Sequence, residues 1–96
     1  LSPRPAPKIT WAVNKSGVTI GTVGDLELFR IGKPREPFDE PTDVRLFVLF
    51  PSSRTTPDGV RCSPDGAGHT ATQRAQNAAE EELRDFYRRL EKGMNP

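Results

Sequence analysis

The chain has 96 residues, a third of them apolar, with ten prolines, eight glycines and a formal net charge of +1. That length allows one domain with a small core, and the near-neutral balance excludes the strong positive field with which many proteins gather on nucleic acid or anionic membrane. A single cysteine excludes an internal disulfide and makes a reducing compartment the simpler home. The longest apolar run, 46–50, is too short to span a bilayer, and no charged-then-apolar leader opens the chain, so a soluble, cytoplasmic protein is expected.

Residues 1–7, LSPRPAP, alternate proline with small or basic residues and read as a flexible tail ahead of a single domain at 8–96. From Lys8 the pattern alternates strictly. Ile9, Trp11 and Val13 point one way, as in a half-buried strand. Asn14-Lys15-Ser16-Gly17 supplies turn formers, and β-branched residues at 18–23 give the returning strand, with Val13 opposite Val18. Gly24-Asp25 suits a two-residue II′ turn that pairs Val23 with Leu26 and starts a third strand at 26–31.

Residues 33–43, KPREPFDEPTD, carry three prolines and mixed charge, which predicts an exposed connection pinned by Phe38. VRLFVLF at 44–50 is the most apolar strand, and its continuity predicts cover on both faces. TPDGVRCSPDGAGH at 56–69 then holds two Pro-Asp-Gly turns around a short extended piece at 60–63. Thr70 to Gln73 form a capping box, and Ala75, Ala79, Leu83, Phe86, Leu90 and Met94 recur at helical spacing opposite Arg74, Glu81, Arg84, Arg88 and Lys92. The helix is expected from Ala71 with Gly93 as its stop. The sum is an α+β domain: a small antiparallel meander of four to five strands with one C-terminal helix on one face.

Sorting by the period of two places Ile9, Trp11, Val13, Val18, Ile20, Thr22, Phe29 and Ile31 under the helix. Val23, Leu26 and Leu28, continued by Phe47, fall on the other face, which one helix leaves uncovered. An apolar sheet face rimmed by the 33–43 loop predicts a non-enzymatic interaction module that binds a protein partner or a second copy of itself, unless the long loops fold over it.

Chemistry has fewer supports. Cys62 and His69 are the only thiol and imidazole, and Asp58 or Asp65 stands near enough in sequence to orient a base, but a small apolar strand residue and a polar residue before a helix cap explain both. One cysteine and one histidine fall short of a zinc site, the aspartate spacing does not fit a calcium loop, and no glycine-rich phosphate loop occurs, so no metal or cofactor is expected. Asn14-Lys15-Ser16 matches a glycosylation sequon, which has no force without secretion.

A three-stranded sheet followed by a helix is similar in outline to the arm-binding domains of phage integrases, in element order across residues 8–92. That resemblance implies nucleic-acid contact through the outer strand face, where Lys8, Arg30 and Arg45 are the basic candidates. The size and the Arg- and Pro-rich composition are also similar to those of bacterial and phage accessory proteins.

Overall fold

The computed structural model describes residues 8–52 and 54–94; the tail expected at 1–7 lies outside them. Five strands, β1 (Thr10–Val13), β2 (Thr19–Val23), β3 (Leu26–Gly32), β4 (Val44–Val48) and β5 (Val60–Cys62), form one antiparallel sheet in sequence order. A single helix, α1 (Ala71–Met94), packs on one face. The fold is therefore the α+β meander with a C-terminal helix that the pattern predicts.

Register is set by two local devices. Asn14 Oδ1 accepts from the amides of Ser16 (2.9 Å) and Val18 (3.0 Å), the Asn14 amide donates to the Val18 carbonyl at 2.9 Å, and Gly17 takes φ +82°. Asn14 thus closes a loop that pairs Val13 with Thr19, one residue away from the expected Val13–Val18 pairing. At the second turn Gly24 takes φ +60° while Asp25 keeps a negative φ, as a II′ turn requires, and Val23 pairs with Leu26. Two steps on, the partner of Thr22 is Glu27 but that of Gly21 is Phe29, so Leu28 is an extra residue in a β-bulge.

The slip and the bulge cancel for β1 and for β3 beyond Leu28, and invert β2 together with the start of β3 at Leu26. Val18, Ile20 and Thr22, expected under the helix, lie on the opposite face, and Thr19, Gly21 and Val23 take their place. The inversion has a steric use. Trp11 faces Gly21 across the β1–β2 ladder, and its indole lies so close that a Cβ on Gly21 would sit 2.6 Å from the ring.

β4 gains its second neighbour from β5, so cover comes from a strand added beyond it and not from insertion between earlier strands. The connection at 33–43 is not pinned by Phe38, which is 71% exposed. Asp39 and Asp43 hold it instead. Arg45 and Arg61 stand directly opposite each other on β4 and β5, a repulsive pair that needs counter-charge. Asp39 receives both Nε and Nη2 of Arg45 at 2.6 Å, and Asp43 receives Arg61 Nε at 2.7 Å. An Arg35–Asp58 ion pair ties this loop to the next one.

The helix begins at its capping box: the Thr70 amide donates to Gln73 Oε1 (2.9 Å) and the Gln73 amide to Thr70 Oγ1 (3.1 Å). Ala75, Ala79 and Leu83 are buried against Phe29, Ile31, Leu46, Val48 and Phe50, and Ala71 is buried at the start of the helix. The small alanines bring the helix axis close to the sheet. Gly93 does not stop the helix, which runs to Met94, and Leu90 is 46% exposed although it continues the apolar stripe. A helix of 24 residues is about 36 Å long and outruns the three strands beneath it.

An aromatic chain links the two ends of the core. Trp11 meets Phe29 (centroids 6.0 Å), Phe29 meets Phe50 edge-on (5.3 Å), and Phe50 meets Phe86 of the helix (4.8 Å). Substituting Gly21→Ala forces the indole off its strand and disturbs the head of this chain. We expect a loss of about 1–3 kcal/mol in denaturant unfolding, against no comparable loss if Trp11 does not lie across Gly21.

Candidate interaction surface

The helix lies over β3, β4 and β5, and among the described residues its backbone does not come close to that of β1 or β2. On its side of the sheet, past its flank, stand Trp11, Val13 and Val23, together with Leu26 opposite Val23. Val13 and Leu26 are the most open at 69% and 67% exposure, while Trp11, Val23 and Leu28 are half-buried against the edge of the core. The result is an apolar surface with Trp11 at its centre, Val13 at one end and Leu26 at the other.

The four residues expected to share one surface are divided by the inversion of β2 and the bulge. Val23 and Leu28 pack against the core cluster, Leu26 stands exposed beside the second turn, and Phe47 lies on the opposite face, paired with Arg30. Phe47 is half-buried, with Gly32 and Gly59 close to its ring. Gly59, at the end of the following loop, therefore shelters Phe47 in part. Val23 and Leu26 come to the side of Trp11 and Val13 because β2 turns Gly21, and not Ile20, toward the helix. A tryptophan ten residues before a glycine, across a hairpin turn, is the sequence signal for such a pair.

The basic candidates are differently placed. Arg30 on the outer face is ion-paired with Glu27, Lys8 is exposed at the start of the described chain, and Arg45 is committed to Asp39. The side chain of Asp39 is fully enclosed, and the hydrogen bonds from Arg45 hold its carboxyl at about 2, against an ordinary 3.8. Asp43 is likewise held low, first by the amide of Glu40.

Cys62 and His69 find separate partners. Cys62 sits on the helix side of β5 opposite Val44, where its thiol reaches the Val60 carbonyl at 3.7 Å and burial pushes its pKa up. That shift disfavours the thiolate a nucleophile needs. His69 Nδ1 lies 2.9 Å from Asp65 Oδ2, and Asp65 Oδ1 accepts the amides of Ala67 and His69, so this carboxylate organises the approach to the helix. Of the two Pro-Asp-Gly turns only the first puts its glycine in the left-handed region, Gly59 at φ +74°; in the second that role passes to Gly68 at φ +94°. Asp58 is engaged with Arg35.

Among the described residues no group of histidine, cysteine and carboxylate side chains is arranged to hold a metal, and no helix is long and apolar enough to cross a membrane. No protein-family model, no curated protein and no solved structure matches the chain.

Two outcomes follow. Asp39 binds its proton more readily in the unfolded chain, so its contribution to stability is complete above about pH 4 and is lost as the pH falls toward 2. In acid titrations followed by circular dichroism, Asp39→Asn lowers the unfolding midpoint at neutral pH and flattens this acid limb; an unchanged limb would remove Asp39 from the clamp. The Cys62 thiol reacts with a disulfide reagent at neutral pH more slowly than a free cysteine does.

Proposed function

We propose that the chain is a small non-enzymatic interaction module, an adaptor or accessory protein that binds a protein through the apolar surface centred on Trp11. The observation that carries this reading is the mismatch between helix and sheet. The helix covers three strands of five, and the open end carries Val13 and Leu26 largely in solvent with Trp11 between them. An aromatic anchor flanked by aliphatic side chains is the composition of the energetic centre of many protein interfaces. The unpaired thiol of Cys62 supports a reducing, cytoplasmic setting.

The test is affinity capture from the native organism with the wild-type chain and with a Val13→Asp, Leu26→Asp double variant. Both sites are exposed, so the variant retains its helix content and its melting temperature within a few degrees. The expected result is a protein retained by the wild type and lost from the variant. Equal recovery by both, or duplex DNA binding that weakens steeply with salt and vanishes on Lys8→Glu and Arg30→Glu, would replace the reading with the nucleic-acid one.

A further inference from the structure

Among the described residues, the unpaired side of β1 is an open edge of the sheet. The Asn14 amide bonds the Val18 carbonyl, so in the antiparallel alternation Ala12 and Thr10 also turn their backbone groups toward β2. The N–H and C=O of Trp11 and Val13 therefore point outward along the free edge. Thr10-Trp11-Ala12-Val13 is short, but it has no proline, no charge and no bulge, three devices that ordinarily blunt an edge. The other edge is guarded: β5 has three residues, carries Arg61 and lies between Pro57 and Pro64.

We propose that β1 pairs antiparallel with β1 of a second copy about a twofold axis, joining two sheets into one. The edge fits itself. With the axis at Ala12, Trp11 meets the second copy's Val13 and Val13 meets its Trp11, so every outward backbone group of the strand finds its complement. Ala12 faces Ala12 at the close, non-hydrogen-bonded position, where a small side chain is needed and no charge is brought against its like. On the helix side each indole lies beside the second copy's Val13, which covers the more exposed end of the apolar surface. This pairing rests on the interaction reading above and names its occupant. The strand is short, so the interface is small and the dimer forms only at high protein concentration.

Sedimentation of the wild type, Val13→Pro and Leu26→Asp from micromolar to millimolar concentration tests it. The Val13 amide faces away from β2, so proline there removes an edge donor and leaves the β1–β2 ladder intact, with an expected melting temperature within a few degrees of the wild type. The expected result is a wild-type dimer whose apparent association constant falls at least about tenfold in Val13→Pro. A wild type that stays monomeric overturns the proposal. So does a dimer that persists in Val13→Pro, and if Leu26→Asp dissolves that dimer, strand pairing fails while association through the apolar surface stands.

Discussion

The placement of Trp11 across Gly21 is the contact on which the rest of the molecule turns. An indole can lie flat on a neighbouring strand only where that strand offers no side chain, and Gly21 is the residue of β2 that does so. Had β2 kept the simpler register, Trp11 would have faced Ile20, and the ring would have stood off the sheet. In the register adopted, Trp11 reaches Phe29 and through it Phe50 and Phe86, so one contact near the sheet edge connects to the helix on its far side. It also decides what is left outside, because the same turn of β2 brings Val23 and Leu26 to the side of Val13, which the helix only partly covers.

The opposite face is managed by charge. Arg45 and Arg61, opposed across β4 and β5, would repel each other, and Asp39 and Asp43 from the preceding loop convert that conflict into a clamp. The loop is long and proline-rich, yet two carboxylates four residues apart tie it to the sheet, and Arg35 carries the tie on to Asp58. This explains how a domain with a small core keeps long connections ordered, and it engages a guanidinium that would otherwise be available to phosphate. The two faces thus differ in kind: one is bound up in ion pairs around Arg45, the other ends in uncovered apolar side chains.

Much of the fold was legible in local chemistry. The II′ turn at Gly24-Asp25, the capping box at Thr70 and Gln73, and the apolar spacing from Ala75 to Phe86 each act over a few residues, and each reads correctly. The candidate surface was less legible because it depends on parity. One residue in the loop closed by Asn14 and one at Leu28 decide which side of β2 faces the helix, and neither leaves a mark in the alternation of apolar and polar residues. Phe38 misled for a related reason: an aromatic between prolines reads as an anchor, while the anchoring falls to the carboxylate beside it.

Amide hydrogen exchange at Trp11 and Val13, followed as a function of protein concentration, tests most directly whether the open end of the sheet is where this protein meets its own kind. Both amides point outward from β1, whereas that of Ala12 is bonded within the sheet. The account predicts rapid exchange at Trp11 and Val13 in dilute solution, slowing markedly as concentration rises, with Ala12 protected throughout. Exchange at Trp11 and Val13 that is slow in dilute solution, or equally fast at every concentration, would contradict it.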